Sequence, residues 1–381
     1  MPKLEKLLFT SSRRVPSKHT VRKLITFKTG RSYKKCLKKL RVKGLKPYKR
    51  MPSLRTIGCH FDKRRPWKSI VRHPEVKRVE SDVRIRMHLY RKHRQTVNRK
   101  KATTSTSTTC PPELTWNICR IKANEAWPRT TGSKIKVAIM DTGIATHPNL
   151  QIAGGVNTIR GGSYADDNGH GTHVAGITAA KGLDGVKGVA PDVELYAIKA
   201  LDSRGGGFVS SIIAGVDWCI RNKMDVINMS FGLVGTSVSQ ALREVIAKAY
   251  KQGIVIVASA GNSGTDDNGM IDAPASFPET MAIAATDMSD KVTNFSSRGT
   301  GIDLAAPGEQ IKSTWLNGGY MTLSGTSMSA PHATGGVALL LSRQPKLSPS
   351  AVTELLRGWA QSLPSETEDE RGAGLLQLDQ V

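Results

Sequence analysis

The sequence predicts an α/β protein in which a parallel sheet carries helices on both faces and a small α+β domain precedes it. The parallel sheet is indicated by four apolar runs, which alternate with helical stretches near 172–181, 208–222 and 236–251. Strands that are apolar on both faces and separated by helices are typical of a parallel sheet covered on both sides. The runs are "KVAIMD" (136–141), "ELYAIKAL" (194–201), "DVINMS" (225–230) and "GIVIVAS" (253–259).

The chain of 381 residues is long enough for more than one domain. Residues 1–21 are rich in Ser, Arg, Lys and Pro without periodicity and are predicted to be disordered. Residues 22–90 alternate short predicted strands and helices, in the order strand, helix, strand, helix, strand. Residues 91–112 are basic and then Ser/Thr-rich, which predicts a linker. The larger domain therefore spans 113–381.

The positive charge is confined to the first third of the chain. Residues 1–110 hold 34 Lys and Arg against 5 Asp and Glu, a net charge of +29, whereas the remainder holds 22 against 26, a net charge of −4. Such a segment either binds nucleic acid or a membrane surface, or docks on the acidic remainder. Interleaved aromatics support the first alternative, but the segment contains no nucleic-acid motif, so the sequence favours docking. The aromatics are Tyr33, Tyr48, Trp67 and Tyr90.

Cysteine content and apolar runs bear on location. Five cysteines, few and odd in number, argue against a disulfide framework and fit a reducing compartment, although a pairing of Cys110 with Cys119 stays open. No apolar run is long enough to predict a membrane span. The only apolar segment near the N-terminus is Leu7–Phe9, shorter than the roughly 7–15 residues of an export signal. We therefore expect a cytoplasmic protein, with export without a recognisable signal as the alternative.

Three residues stand where parallel sheets place their functional sites, beyond the ends of strands. Asp141 ends a predicted strand, His170 lies between glycines before a helix, and Ser327 opens another helix. A serine hydroxyl becomes a good nucleophile only beside a base such as imidazole, and the imidazole needs a carboxylate to fix its tautomer. Taken singly, the Asp and the Ser are better explained as helix caps and the His as a loop residue.

Their sequence contexts resemble the catalytic blocks of the subtilisin-like serine proteases. These blocks are "VAIMDTGIATHPNL", "NGHGTHVAG" and "SGTSMSAPHATGG", in the family's chain order Asp–His–Ser. The resemblance extends over about residues 113–381. It implies a subtilisin-like fold and a serine endopeptidase that acts on proteins and peptides through an acyl-enzyme, with Ser327 as nucleophile, His170 as general acid–base and Asp141 as orienting carboxylate. The intact set argues against an inactive scaffold of the same fold.

The same resemblance assigns the residues that would surround the substrate. Asn262 matches the asparagine whose amide helps bind the oxyanion, and the backbone N–H of Ser327 would be the second donor. A plain Asn-Ser turn is the alternative for Asn262. His173 and His332 lie outside the catalytic positions and are interpreted as structural. The residues that would flank the pocket for the side chain before the scissile bond are Ser230, Phe231, Gly232 and Gly261.

Asp272 is a candidate for the floor of that pocket. Alignment of "IDAPASFP" with the family places it where glycine or serine is common. A carboxylate there would pair with a Lys or Arg side chain of the substrate. Alternatively, Asp272 faces solvent and the apolar wall of Phe231 selects large hydrophobic side chains.

Residues 22–90 resemble the propeptide of the family in their element order and in the phrase "VKRVESD". The resemblance implies a zymogen whose propeptide assists folding, inhibits the enzyme and is removed by self-cleavage in the linker, with Lys101 as the first candidate position. The expected partners are thus substrates and the chain's own propeptide, without membrane or nucleic acid, and the expected state is a monomer.

The chemistry itself requires no metal or cofactor. Many relatives bind structural calcium through an aspartate at the position of Asn149, and the loop "KGLDGVKGVA" (181–190) is short, which puts the usual calcium site in doubt. Asp166 and Asp167 offer carboxylates for an ion, but an isolated acidic turn is more often solvated.

Overall fold

The computed structural model describes residues 3–13, 16–65, 68–87, 110–233, 239–264 and 270–381. Most of the predicted linker 91–112, with the cleavage candidate Lys101, lies outside the described residues, as do Trp67 and Tyr90. Within the described ranges, no helix has both the length and the apolar composition needed to cross a bilayer.

The helices and strands occur throughout the described chain. The helices are α1 (Leu4–Ser11), α2 (Gly30–Val42), α3 (Lys68–Val71), α4 (Trp116–Arg120), α5 (Ala123–Ala126), α6 (His170–Ala179), α7 (Val209–Arg221), α8 (Gln240–Lys251), α9 (Thr326–Arg343), α10 (Pro349–Gly358) and α11 (Glu368–Arg371). The strands are β1 (Ser12–Arg13), β2 (Thr20–Phe27), β3 (Lys49–Met51), β4 (Thr56–Asp62), β5 (Val76–Ser81), β6 (Arg84–Arg86), β7 (Lys136–Asp141), β8 (Ile152–Asn157), β9 (Glu194–Lys199), β10 (Gly206–Phe208), β11 (Val226–Met229), β12 (Val255–Ser259), β13 (Met281–Thr286), β14 (Leu304–Pro307), β15 (Ile311–Thr314) and β16 (Tyr320–Leu323).

The N-terminal domain is an antiparallel sheet with helices on one face. Its strands are ordered β1-β4-β2-β5, and β3 also pairs with β4. Helix α2 begins at its cap Thr29, whose side chain accepts a hydrogen bond from Ser32 N. Tyr33, Cys36 and Leu40, spaced three and four residues apart, form the apolar stripe that α2 buries against the sheet.

Helix α1 lies in the segment predicted to be disordered, so that prediction is wrong for residues 4–11. Leu4 and Leu8, four residues apart, are fully buried in the same core as Phe27 and Phe61. A helix of eight residues is too short to be stable alone in water. Its stability therefore comes from packing against strands that are distant in the chain. Such packing cannot be recognised from the short sequence of the helix itself.

The second domain contains the predicted parallel sheet, with its seven described strands in the order β14-β13-β12-β11-β7-β9-β8. Every neighbouring pair in it is parallel. Because successive strand residues face opposite sides, Val137 and Ile139 share a core with α6 and α9, whereas Ala138 and Met140 pack with α7 and α8. The predicted α/β fold with helices on both faces is confirmed.

The sheet of the N-terminal domain packs on α7 and α8 of the second domain. Leu24, Met51, Leu54 and Ile85 are buried in one core with these two helices. The interface also carries ion pairs, such as those of Lys77 and Arg78 with Glu244. The basic domain therefore docks through apolar burial and local pairs as well as through its excess of positive charge.

Tyr33 and Tyr48, cited for the nucleic-acid alternative, make contacts inside the protein. Tyr33 is buried edge-on against Phe27. Tyr48 donates a hydrogen bond to Asp82 over 2.8 Å, and the guanidinium of Arg22 lies 4.0 Å from its ring centroid. These two aromatics therefore belong to the core and to the domain interface.

Cys110 and Cys119 form a disulfide with their Cα atoms 5.7 Å apart. The bond ties the start of the second domain to α4. Cys36, Cys59 and Cys219 are buried thiols. The sequence left this pairing open and used the cysteines to predict a reducing compartment, and the disulfide removes that support because such bonds persist in oxidising environments.

Candidate active site

Asp141 and His170 meet at the carboxyl end of β7. Asp141 is the last residue of that strand and fully buried, and its Oδ1 accepts hydrogen bonds from His170 Nδ1 at 2.8 Å and from Thr142 N at 2.7 Å. His170 is the first residue of α6 and 4% exposed. With Nδ1 donating to the carboxylate, Nε2 is the proton acceptor of the neutral ring.

Asp166 holds the first turn of α6, a role that the sequence did not reveal. Its Oδ1 accepts from Asn168 N and Gly169 N, and its Oδ2 accepts from the backbone and hydroxyl of Thr172, all within 3.0 Å. Asp166 is 8% exposed, so the prediction of a solvated acidic turn is wrong for it. A carboxylate at a helix N-terminus satisfies free N–H groups and fixes the helix that carries His170.

Asp167, its neighbour, is half-exposed and pairs with Lys199 at 2.6 Å. Lys199 is buried and also donates to Thr142 O at 2.6 Å, directly after Asp141. The two acidic residues considered for an ion are therefore engaged with a helix terminus and with a lysine.

The pKa of His170 reflects opposing effects. Burial lowers the pKa, because a charged ring is poorly solvated there, but the charge and hydrogen bond of Asp141, together with the charge of Asp166, leave the pKa of His170 above its ordinary value. His170 therefore binds a proton more tightly than a free histidine does. This property suits a ring that must take up a proton during a reaction.

Ser327 lies in the first turn of α9, after Gly325 and Thr326. Its side chain is buried, and its Oγ donates to Ser230 O at 3.1 Å. The hydroxyl of Ser230 donates back to Ser327 O at 3.0 Å. Among the described residues, His170 Nε2 has no hydrogen-bond partner. Ser327 Oγ can leave the Ser230 carbonyl by rotation about one side-chain bond.

Asn262 is oriented by Thr326. Its Oδ1 accepts from Thr326 N at 3.0 Å and from Thr326 Oγ1 at 2.8 Å. Its Nδ2 is buried and has no partner within the described part of the chain. Because both bonds fix the carbonyl side of the amide, the N–H₂ side points away from Thr326 as a free donor. Sequence reasoning selected Asn262 but not Thr326, which orients it.

Gly325 keeps space in front of these donors. A Cβ on this residue would lie 3.1 Å from Asn262 Nδ2 and 3.8 Å from Ser327 N. The backbone of Gly325 also has a φ of +153°, which residues with a side chain rarely adopt. A glycine therefore leaves room beside both predicted oxyanion donors.

Three of the residues predicted to flank the substrate pocket, Ser230, Phe231 and Gly232, follow β11, whereas Gly261 follows β12. A strand of the N-terminal domain lies beside Gly232. Phe231 is 1% exposed, and Gly232 N donates to Arg86 O at 3.4 Å. On its other side, β6 pairs antiparallel with β10, with Ile85 opposite Gly207. Residues 84–86 thus run as an extended segment between two edges of the second domain.

Asp272 lies against Gly261 and does not face solvent, since it is 8% exposed. A Cβ on Gly261, whose φ is +121°, would lie 2.6 Å from Asp272 Oδ2. The next residue, Ala273, accepts a hydrogen bond from Leu233 N at 2.8 Å. The structure therefore brings Asp272, Gly261 and the segment after Phe231 together.

His173 and His332 are buried, and their hydrogen bonds go to groups other than Asp141 and His170. Burial lowers the pKa of His173 to about 3 and that of His332 to about 4. His173 Nε2 hydrogen-bonds the carbonyls of Ile311 and Met321, and His332 Nε2 bonds Asn117. Both rings therefore stay neutral and link elements of the core.

The sequence of the second domain is similar to those of known proteins. The model of the subtilase family matches residues 132–374. Subtilisin DY from Bacillus licheniformis is 47% identical over 236 residues, which cover 61% of this chain and 85% of that protein. Subtilisin Savinase from Lederbergia lenta is 43% identical over 267 residues, 69% of this chain and 97% of that protein.

Minor extracellular protease Epr from Bacillus subtilis (strain 168) is 42% identical over 267 residues, 69% of this chain but only 41% of Epr. The family match covers more than half of the chain and includes the strand end with Asp141, the helix start with His170 and the helix start with Ser327. The chain therefore belongs to the subtilase family and is a subtilisin-like serine endopeptidase.

Proposed function

We propose that the chain hydrolyses peptide bonds through Ser327, His170 and Asp141. The observation that carries this proposal is the orientation of His170, whose Nδ1 is bound to Asp141 and whose Nε2 is buried and unpartnered among the described residues. Ser327 Oγ would rotate from Ser230 O, pass its proton to Nε2 and attack the substrate carbonyl carbon. Asp141 then stabilises the imidazolium, which gives the proton to the leaving amine. Water then attacks the acyl carbon while His170 Nε2 takes up its proton, and this proton passes to Ser327 Oγ as the bond to the serine breaks and the acid product leaves.

The tetrahedral intermediate carries a negative oxygen that requires fixed donors. Asn262 Nδ2 and Ser327 N, which lie on the same side of Gly325, supply them. Both are held before the reaction, Asn262 by Thr326 and Ser327 by the first turn of α9. Donors that are oriented in advance stabilise the transition state without reorganisation.

The pH dependence of kcat/KM tests the role of His170. The ring must be neutral to accept the serine proton, and its pKa is raised by Asp141 and Asp166 against the effect of burial. We therefore expect kcat/KM to be low in acid, to rise with pH through a pKa above 6.5 and to level off in mild alkali. The profile is measured with a peptide substrate that does not titrate in this range.

The matched variant is Asp141→Asn, which keeps the shape of the side chain and removes its charge. Its rate is expected to fall by about 10⁴-fold, with the remaining rise shifted to lower pH because burial then dominates the pKa of His170. A wild-type profile that falls from about pH 6 to about pH 9 contradicts His170 as the base.

We further propose that the N-terminal domain is a propeptide that blocks the substrate cleft. This proposal is supported by β6, whose residues pair with β10 and reach Gly232 as an extended substrate would. Two carboxylates of the domain add to the docking. Asp82 accepts from Ser210 N at 2.8 Å at the start of α7, and Glu80 accepts from Ala241 N at 3.3 Å at the start of α8. Both carboxylates lie at positive helix ends.

Self-cleavage would follow from this geometry. The chain leaves β6 at Met87, whose N–H donates to Gly205 O at 2.9 Å. Beyond it lie residues 88–109, which include Lys101 and connect the blocked cleft to Cys110. We propose that the enzyme cuts within this connection and releases the N-terminal domain, so that the chain is made as a zymogen.

We propose that Asp272 directs cleavage after Lys or Arg. Its side chain is buried against Gly261, beside the segment that follows Phe231. A basic substrate side chain that enters there would meet a carboxylate in a poorly solvated place, where a charge-assisted hydrogen bond is strong. An apolar side chain would bring no opposite charge to that buried carboxylate and would therefore be less favourable there.

Cleavage of a peptide library by the wild type and by Asp272→Ser tests this preference. For substrates with Lys or Arg before the scissile bond, the kcat/KM of the variant is expected to fall by about 10- to 100-fold. This is the effect expected from the loss of one hydrogen bond to a charged group. Asp192→Ser, at a half-exposed aspartate that pairs with Lys181, is the control for overall charge and should leave the preference unchanged. A wild type that prefers Phe, Leu or Tyr, unaltered by Asp272→Ser, excludes this role.

We propose that the protein is exported. Cytoplasmic location was expected from the cysteine content and from the short N-terminal apolar segment, and the bond between Cys110 and Cys119 removes the first of these grounds. One relative, Epr, is named an extracellular protease. Fractionation of the producing cells, with the disulfide assayed by mass, tests the proposal, and a reduced protein confined to the cytoplasm contradicts it.

A further inference from the structure

The segment after Asp141 includes Asn149, at the position where the resemblance to the family leads us to expect a calcium-binding aspartate. Its side chain is fully buried against residues 182–186. Its Nδ2 donates to Leu183 O at 3.1 Å and to Val186 O at 2.8 Å, with a longer contact of 3.4 Å to Tyr320 Oη. Its Oδ1 accepts from Gly182 N at 2.9 Å and Leu183 N at 3.0 Å.

This arrangement satisfies both ends of the amide. One neutral side chain supplies two donors to carbonyls and two acceptor positions to N–H groups, which is its full capacity. The carbonyl of Leu183 also accepts from Tyr320 Oη at 3.3 Å. The loop backbone atoms that hydrogen-bond the Asn149 side chain are thus paired within the protein; they are the carbonyls of Leu183 and Val186 and the N–H groups of Gly182 and Leu183.

A calcium ion does not fit among these atoms. Calcium requires about six to eight oxygen ligands at about 2.3–2.6 Å, several of them carboxylates. Here the carbonyls of Leu183 and Val186 face the N–H₂ group of Asn149, which occupies the space between them and repels a cation. The Asn149 side chain itself brings no negative charge.

Asn149 also connects the loop of residues 181–186 to the segment that follows Asp141. Lys181 N donates to Asn149 O at 3.0 Å, and Asn149 N donates to His147 Nδ1 at 3.0 Å. His147 Nε2 in turn bonds Gly319 O at 2.9 Å. Residues 147–149, the loop after α6 and the turn before β16 are therefore held together around Asn149.

We propose that the Asn149 amide takes the place of a structural cation in this loop, so that the protease fold is maintained without calcium. The proposal rests on the hydrogen bonds of Asn149 and not on the catalytic assignments. It predicts that chelation has no effect on stability and that the amide, unlike a carboxylate, is required at this position.

Thermal unfolding of the full chain carrying Ser327→Ala, which excludes self-digestion, tests the proposal. The Tm is measured in excess calcium chloride and in excess EDTA. We expect the two values to agree within about 1 °C, whereas removal of a bound structural ion would lower the Tm strongly. A Tm that falls by about 5 °C or more in EDTA overturns the proposal.

Asn149→Asp, in the same background, is the second arm. It keeps the size of the side chain but turns its two donors into an acceptor that faces the carbonyls of Leu183 and Val186. We expect its Tm in EDTA to fall by about 5–10 °C. Asn222→Asp is the matched control, since Asn222 is exposed and also donates to a backbone carbonyl, that of Trp218 at 2.8 Å.

The control should change the Tm by no more than about 2 °C. If Asn149→Asp unfolds no more easily than Asn222→Asp, the amide has no special role and the proposal is wrong. If Asn149→Asp does not fold at all, the comparison of calcium with EDTA on the parent chain still decides the outcome.

Discussion

Replacement of Ser327 by alanine is expected to lower kcat by about 10⁶-fold, a magnitude taken from removal of the serine nucleophile in a subtilisin. The reason is that the acyl-enzyme cannot form without Oγ, and the residual rate comes from binding and the oxyanion donors alone. The rate is measured with a chromogenic peptide after the N-terminal domain of both proteins has been removed by the same added protease, which is then inactivated.

Ser329→Ala is the matched control for this variant. Ser329 lies two residues further along α9, is also fully buried, and its Oγ has no hydrogen-bond partner in the described structure. Its removal should change kcat by only a few-fold. A Ser327→Ala enzyme that retains even about one hundredth of the wild-type kcat would show that another group is the nucleophile.

Removal of the Asn262 amide donor tests the proposed oxyanion site. We expect Asn262→Ala to lower kcat by about 10²- to 10³-fold with little change in KM, because the amide acts on the charge that develops in the transition state. The measurement is steady-state kinetics on the processed enzyme, with the Tm recorded for each variant.

Asn262→Asp separates a catalytic role from a structural one. The carboxylate keeps both hydrogen bonds from Thr326, which fix Oδ1, but it replaces the free Nδ2 donor with an acceptor. Its kcat should fall at least as far as that of Asn262→Ala, at nearly unchanged Tm. Asn262→Asp with near wild-type kcat, or with a collapsed Tm, would make Asn262 a structural turn residue.

The central fold was predictable because its strands are apolar on both faces and end at chemically distinctive residues. The residues from Val137 to Met140 predict a doubly covered strand without reference to any partner. The strands that escaped prediction have weaker signals. β8 contains Gly154 and Gly155 in its middle, and half of the six residues of β13 are alanine, a residue that does not favour strands.

The site was predictable for residues whose chemistry is local and not for those that act through distant partners. Asp141, His170 and Ser327 lie in distinctive sequence contexts. In the sequence, Asp166 is one of two acidic residues in a polar turn. Only the fold places the N–H groups at the start of α6 around its carboxylate. Thr326 likewise gains its role from Asn262, 64 residues earlier in the chain.

The most direct test of the central claim, a protease that processes its own N-terminal domain, is intact-mass spectrometry of the expressed wild type and of Ser327→Ala. The full chain has a mass of 41.3 kDa. We expect the Ser327→Ala chain to keep this mass and the wild type to lose its N-terminal domain at a single position between residues 88 and 109. A Ser327→Ala chain that is cut at the same position in the absence of other proteases, or a wild type that is active and remains at full mass, would contradict the account.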